Sequence, residues 1–395
     1  MRKLLNEKFF VPQSNAISEV ASVAGRYDDL INLSIGDPDI KTPQRVVELA
    51  FADALAGHTK YTDPQGYPEL REEIRAFYRE EYGIPVKDEE VFVSSSGLTA
   101  MYLAMAVTLD PGDEVIVPDP FFTCYQGQIE AAGGVVVPLP TCREEGFGIS
   151  LERLEGLVTP RTKGILLNSP NNPTGACLSR KELEQIAEAC QRHDLLVYAD
   201  DIYTNFCYRE PFFPMLGIPG MADRTITVNS FSKNFIMTGF RVGNLIAPKE
   251  IICAVKQMNE YVVYSAPSVS QRAALWALRE RREIEPPIFR QFKERVEYAA
   301  GRINGLGKMS VDEPQGSMYL FPDIRGTGLT SAQAASRILE EAHVLVLPGD
   351  TFGRYGEGYL RIACTVENEV MGEAFDRIGK MPLFGLQAGP TKTTA

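Results

Sequence analysis

The stretch NSFSKNFIMTGFRVG, residues 229–243, sets Lys233 among small hydroxylated residues, Ser230 and Ser232, and follows it eight positions later with Arg241. Two neighbouring cations repel one another unless something anionic lies between them. Three other short stretches carry polar chemistry where predicted strands end: SSSGLTA (94–100), NSPNNPTG (168–175) and ADDIY (199–203). Taken singly, each has an ordinary structural reading. SSSG before a helix is an N-cap and turn, and NNPTG is turn chemistry supplied by Asn, Pro and Gly. An Asp at a strand end is more often a cap than a catalyst, and a Lys after Ser is usually a solvated surface amine.

Together the four stretches supply the complementary parts of one ligand. An aromatic aldehyde bearing a phosphate needs an amine to condense with, and Lys233 provides it. The phosphate calls for backbone N–H groups at a helix N-terminus, which Gly97, Leu98 and Thr99 offer. Hydroxyls from Ser230 and Ser232 and the fork of Arg241 complete that cradle. A pyridine nitrogen kept protonated needs a carboxylate, and Asp200 is the candidate. Asn172 and Tyr203 are candidate donors to the phenolic oxygen, and Phe122 of PDPFFTCY is placed to stack on the ring. The ligand so described is pyridoxal 5'-phosphate, whose phosphate dianion resolves the repulsion between Lys233 and Arg241.

The elements that must position these residues are legible from residue 91 onward. Short β-branched runs (VFVSSSG, DEVIVPDP, GVVVPLP, GILLNSP, LLVYAD, TITVNS) alternate with amphipathic helical patterns, among them SRKELEQIAEACQRHD with a capping-box start at Ser179 and Glu182. This alternation predicts an α/β fold with a mostly parallel sheet covered on both faces. Ligands in such sheets gather beyond the carboxyl ends of the strands. The charged stretch RERREIEPP at 279–287 reads as a seam. After it the order changes to a helix near 288–304, SMYLFPDI, a helix near 331–342, VLVLPG, YLRIACT and a final helix, an α+β pattern. The expected division is therefore an N-terminal segment 1–42 packing on a small domain, a large cofactor-binding domain 43–287, the small α+β domain 288–385, and a loose polar tail 386–395.

Composition bounds the remaining function classes. The 395 residues carry a formal net charge of −12, without the basic footprint that nucleic acid or an anionic membrane demands. Seven dispersed cysteines with no CxxC pair read as reduced core thiols of a cytosolic protein. His58, His193 and His343 lie far apart, so no metal site is expected. No apolar run approaches the length of a membrane-spanning helix. GTGLTS at 326–331 lacks the third glycine of a dinucleotide loop and a surrounding βαβ unit, and GLGK at 305–308 lacks P-loop spacing. Both read as loops.

Six stretches in chain order, NLSIGDPDIKTP, KYTDPQGYPELREEI, NSPNNPTG, DDIY, SFSKNFIMTGFRVG and YLRIACT, resemble the motifs of class I/II aminotransferases of the fold-type I pyridoxal-phosphate superfamily, the aspartate aminotransferase-like enzymes. The resemblance covers nearly the whole chain and implies a sheet of the seven-stranded type with a smaller α+β domain. It implies Lys233 as the Schiff-base lysine, Asp200 on the pyridinium, and Asn172 and Tyr203 on the phenolic oxygen. Arg361 would grip the substrate α-carboxylate, helped by the Gly36 amide and Asn172. Tyr61 would reach the phosphate of a neighbouring subunit, which makes a homodimer with shared sites. Departures are Ala100 after GLT, Phe122 where many relatives carry Tyr, and GSMYLF in place of GAFYLF.

The activity implied is ping-pong transfer of an amino group from an L-amino acid to a 2-oxo acid. A C–S β-lyase on the same fold and a non-catalytic regulator are the alternatives; the regulator's winged-helix domain has no room before residue 32. Which amino acid is the donor stays open. A second cation for an acidic side chain is not assigned, with Lys60 and Arg26 named without geometric support, and Tyr319 and Tyr67 equally suit an apolar side chain.

Overall fold

The computed structural model describes residues 27–385; Arg26, the rest of 1–26 and the expected tail 386–395 lie outside the described residues. A two-residue strand, β1 (Ile31–Asn32), comes first, followed by helices Gln44–Leu55 and Pro68–Tyr82. Seven strands then build the main sheet: β2 (Val91–Ser94), β3 (Glu114–Asp119), β4 (Val135–Pro140), β5 (Thr162–Asn168), β6 (Leu196–Asp200), β7 (Thr225–Ser230) and β8 (Gly243–Ile246). Their spatial order is β2-β8-β7-β6-β5-β3-β4. Only β8 runs against its neighbours, so the carboxyl ends of β2, β5, β6 and β7 open on one edge.

The central strands are apolar on both faces because both are covered. Successive residues alternate between two cores: Val115, Val117, Leu166 and Tyr198 pack toward helices Gly97–Thr108 and Lys249–Val262. Ile116, Ile165, Leu167 and Val197 pack toward helix Arg180–Arg192 on the other side. That last helix begins at the expected capping box, with Glu182 N donating to Ser179 Oγ at 3.3 Å and Ser179 N donating to Glu182 Oε2 at 2.8 Å. Pro138 and Pro140 sit in β4, an edge strand, where missing N–H donors are tolerated.

Beyond the sheet, β9 (Tyr319–Leu320), β11 (Leu347–Pro348) and β12 (Leu360–Ala363) form an antiparallel trio in the order β11-β12-β9. The two-residue β10 (Val344–Leu345) pairs in parallel with β1, and Leu33 bridges onward by accepting from Ala363 N at 2.8 Å. The helix expected near 288–304 starts earlier than the sequence reading placed it: a single helix runs Arg281–Asn304 with Pro286 and Pro287 inside it. Its apolar stripe Ile284, Ile288, Phe292, Val296, Ala299, Ile303 is continuous and buried. Both prolines face outward, so the carbonyls they leave without donors meet solvent. The expectation of core thiols is also corrected: all seven cysteines are free, but only Cys190 and Cys364 are buried, and Cys253 is exposed.

Candidate active site

A cleft of about 270 Å³ opens beyond the carboxyl ends of β2, β5, β6 and β7, bounded on its far side by β9 and β12. Asp200 is the last residue of β6 and stands in register with Asn168, the last of β5. Asn168 ties two loops together: its Nδ2 donates to Asp200 O at 3.0 Å, and its Oδ1 accepts from Asn172 N at 2.8 Å. The buried Asp200 carboxylate accepts a hydrogen bond from Tyr125 Oη through Oδ2, while Oδ1 has no partner among the described residues. Burial pushes its pKa up to about 7, against the pull of the Tyr125 hydroxyl and the Ile202 amide. Burial, and then the charge of Asp200, push the adjacent Asp201 well above the usual carboxylate range.

Lys233 lies in the four-residue helix Phe231–Asn234 directly after β7. Ser230 begins that turn, accepting from Ser232 N at 3.2 Å and lying 2.9 Å from Ser232 Oγ. Lys233 Nζ donates to Gly36 O. The loop then returns Arg241 to the same cavity from a left-handed backbone (φ 52), with Nη1 donating to Thr238 O at 2.9 Å. Gly97 and Leu98, at the start of the helix after β2, line the cavity as well. Thr99 does not. Its amide donates to Ser96 Oγ at 3.0 Å, so the N-cap has already claimed a donor that the sequence reading gave to the phosphate. Phe122 lines the cleft half-buried, its ring edge-on to Tyr125 at 5.5 Å and 81°.

On the opposite wall Arg361 of β12 is buried. Its Nη1 donates to Asn172 Oδ1 at 3.1 Å, its Nη2 donates to Ser34 O, and Nε has no partner among the described residues. The guanidinium lies 4.5 Å from the Tyr319 ring centroid and 4.7 Å from that of Phe352. Burial pulls its pKa below the ordinary arginine value, an expense that an anionic partner would reverse. Tyr203 is buried beside it, Oη 3.4 Å from Tyr319 Oη. Gly36 is required by close approach, because a Cβ there would lie 1.8 Å from Tyr319 Oη. Tyr61 is 88% exposed and stands outside the cleft of its own chain.

Of the residues singled out from sequence, Lys233, Asp200, Tyr203, Asn172, Gly36, Gly97, Leu98, Phe122, Ser230, Ser232, Arg241 and Arg361 converge on this cavity. Sequence reasoning missed Asn168 and Tyr125. Asn168 had a signal, since it ends the strand parallel to that of Asp200; Tyr125 had none, because its contact spans 75 positions. Among the described residues, no group of three His, Cys, Asp or Glu side chains is placed to hold a metal ion, and no helix is long and apolar enough to cross a membrane.

Comparison with known proteins agrees with this geometry. The family model described as aminotransferase class I and II matches residues 28–378. The chain is 35% identical to an aspartate aminotransferase of Pyrococcus horikoshii, over 95% of this chain and 96% of that one. It is 35% identical to an aromatic-amino-acid aminotransferase of Thermococcus litoralis, over 95% and 98% respectively. The solved aspartate aminotransferase from Thermus thermophilus with maleate superposes with a TM-score of 0.91 at 34% identity, covering 95% of this chain and 99% of that one. A family model spanning nearly the whole described chain, relatives of this identity, and a shared α/β architecture lead to one conclusion: the chain belongs to the class I and II aminotransferases and is a pyridoxal-phosphate-dependent transaminase.

Proposed function

We propose that Lys233, Asp200, Arg361 and Arg241 carry the reaction in the roles their chemistry assigns. The observation that carries this reading is Asp200 Oδ1, a buried carboxylate oxygen without a partner in the same cavity as an amine and two guanidinium groups. Such an atom calls for a cationic N–H donor, and a protonated pyridine supplies one, so the residues present fit the cofactor. Pyridoxal phosphate, when bound, offers an aldehyde to the substrate amine and a ring that takes up the electrons released at the α-carbon.

The chain's own residues do the rest. Asp200 holds the ring nitrogen's proton in place, and Tyr125 holds Asp200. Ser230, Ser232, the Gly97 and Leu98 amides and Arg241 cradle the phosphate, whose charge separates Arg241 from Lys233. Asn172 and Tyr203 face the phenolic oxygen, and Phe122 covers the ring. Arg361, braced by Asn172 and aided by the Gly36 amide, clamps the substrate α-carboxylate and so fixes the α-carbon's orientation. Lys233 Nζ would then take the α-proton and return it on the far side of the substrate nitrogen, to the carbon that was the cofactor's aldehyde. A second 2-oxo acid running the steps in reverse completes a ping-pong cycle.

The finer assembly is proposed with it: a cytosolic homodimer with shared sites, in which Tyr61 reaches the partner's phosphate. Support comes from large apolar side chains left exposed on one chain, Phe51, Leu55 (92% exposed), Tyr61, Tyr261 (81% exposed) and Val262, with Tyr61 edge-on to Tyr264 at 5.3 Å. Light scattering should return twice the 43.7 kDa of one chain. The division at 287/288 stays part of the proposal, with helix Arg281–Asn304 running across it.

The test is Lys233→Ala. The variant is expected to lose both the visible absorbance of the bound cofactor and the formation of 2-oxo acid from amino acids. Near-full turnover would refute the assignment. Release of pyruvate and ammonia from S-substituted cysteines as the main reaction would move the enzyme to the C–S lyases.

A further inference from the structure

We infer that Cys177 and Cys207 form a redox site: a hydroperoxide converts the two thiols to a disulfide, which ties the loop carrying Asn172 to the loop carrying Tyr203. Both are free thiols, and neither lines the cleft described above. Formation of the bond is independent of the transaminase reading; only its effect on turnover rests on that reading.

A third segment brings the two cysteines together. Cys207 pairs with Gly316 in an isolated antiparallel bridge. Ser317 N donates to Phe206 O at 2.9 Å and Tyr208 N to Gln315 O at 2.8 Å, so the bonds flank the pair. This is the narrow kind of antiparallel pair, in which opposite side chains share a face and stand closest. Gly316 has no side chain to place there. A Cβ on it would lie 2.5 Å from Cys177 Sγ, so the Cys177 thiol fills the position directly across from the Cys207 side chain. Cys177 is held there by its own backbone, with N donating to Gln315 Oε1 at 3.0 Å, and its Sγ lies 3.9 Å from Gly175 O. The hydrogen bond with Cys177, and then burial, push the Cys207 thiol well above its ordinary value. Cys207 therefore keeps its proton, and Cys177 is the sulfur that attacks first.

With hydrogen peroxide as the oxidant, the Cys177 sulfur attacks one oxygen, the O–O bond breaks, and the other oxygen leaves as water with the thiol's proton. The Cys207 sulfur then attacks the Cys177 sulfenic acid. An S–S bond replaces the S–O bond, and the hydroxyl leaves as a second water with the Cys207 proton. The thiol pair gives up two electrons and the peroxide takes them. A disulfide holds its sulfurs about 2.05 Å apart, closer than unbonded sulfurs stand, so closing it draws the two loops together by on the order of 1 Å. Both loops carry parts of the active cleft. Asn172 sits in a turn closed by Asn171 N donating to Ala176 O at 2.8 Å and Gly175 N donating to Asn171 O at 3.0 Å, and Cys177 follows directly. On the other loop, Phe206 N donates to Tyr203 O at 2.8 Å just before Cys207. Asn172 in turn braces Arg361. A shift of about 1 Å in residues that orient a substrate can cost about 100-fold in rate.

The experiment treats the reduced holoenzyme with hydrogen peroxide and maps linked peptides by mass spectrometry. It also follows kcat/KM for whichever of aspartate and phenylalanine the reduced enzyme converts faster. A Cys177–Cys207 linkage should dominate, kcat/KM should fall at least fivefold, and dithiothreitol should reverse both. Absence of that linkage overturns the inference, and so does a linkage accompanied by a smaller fall. Cys177→Ser should form no linkage and hold its kcat/KM through the same treatment; an equal fall in that variant places the effect on another residue and overturns the inference. Cys207→Ser supplies an independent reading, since it should trap the Cys177 sulfenic acid for labelling by dimedone, and an unlabelled Cys177 refutes the order of attack. Failure of both amino acids to react sinks the transaminase reading alone, because the linkage is still scored by mass.

Discussion

Asp200→Asn tests the electrostatics of the cleft in two ways that do not depend on each other. The side chain is nearly isosteric, and its oxygen still accepts from Tyr125. What disappears is a buried charge. In the protein without cofactor, burial lifts this carboxyl from 3.8 to about 7. At ~1.4 kcal/mol per unit, that lift is worth about 4 kcal/mol. The folded state binds the extra proton between the two values, so stability falls as pH rises from about 4 to about 7 and levels off above. Asn does not titrate, so the cofactor-free variant should escape this loss. Urea midpoints of both cofactor-free proteins at pH 5, 6, 7 and 8 measure it directly; burial, the larger cause of Asp201's raised pKa, is common to both, while the variant also frees Asp201 from its neighbour's charge. The variant should gain on the wild type from pH 5 to 7, with the gain flattening toward pH 8. With cofactor bound the order should reverse, because the ring N–H then pairs with the wild-type carboxylate and less well with the amide. Turnover should drop on the order of 10²–10³-fold, the usual cost of deleting one preorganised charge partner. Parallel pH courses together with near-wild-type turnover would refute the reasoning, since Asp200 would then be neither desolvated nor paired to the ring.

Tyr125→Phe removes the hydrogen bond that pulls Asp200 downward, so the acid limb of the kcat pH profile should move to higher pH and turnover at neutral pH should fall about tenfold, in line with one hydrogen bond to a charged group. An unmoved profile would reduce Tyr125 to packing. Gly36→Ala places a methyl 1.8 Å from Tyr319 Oη and 2.8 Å from its Cζ. The ring must leave its place over Arg361, so KM for the amino acid should rise at least tenfold with cofactor absorbance retained; an unchanged KM would show the loop relaxes freely. Arg361→Lys keeps the charge but loses the fork that reaches both Asn172 and Ser34, and steady-state kinetics should show kcat/KM down by about 100-fold.

The parts of this site that were legible in the sequence are those fixed by local rules. Strand ends announce themselves through β-branched runs that stop at Ser, Asn or Asp, and the α/β alternation puts those stops on one edge of the sheet. That is why Asp200, Asn172 and Lys233 emerge together. What sequence could not show is how local rules compete. Ser96 and a phosphate both want the Thr99 amide, and in the structure the cap holds it. The helix near 288–304 reads as beginning after Pro286 and Pro287, yet it passes through them because Ile284, Ile288 and Phe292 bury one face while the prolines stand on the other. Tyr125 was invisible for a third reason: its partner is brought to it only by the packing of the helix after β3 against the sheet.

Asp200 and Arg361 carry opposite charges, both are buried, and both line one cavity, yet no ion pair joins them among the described residues. Were they structural, direct pairing would be the least costly arrangement, because each charge would satisfy the other's lost hydration. The chain instead supports them separately. Tyr125 donates to Asp200 from one wall, while Asn172, Ser34 and the Tyr319 and Phe352 rings hold Arg361 on the other. Each keeps one polar atom free, an acceptor at Asp200 Oδ1 and a donor at Arg361 Nε. Those two unpaired atoms, in a cavity that Lys233 also lines, suit a ligand that is cationic at one end and anionic at the other, as the proposed reaction requires. The separation of the two charges therefore supports the proposed roles, since opposite charges held apart in one cleft are accounted for if the bound reactants join them.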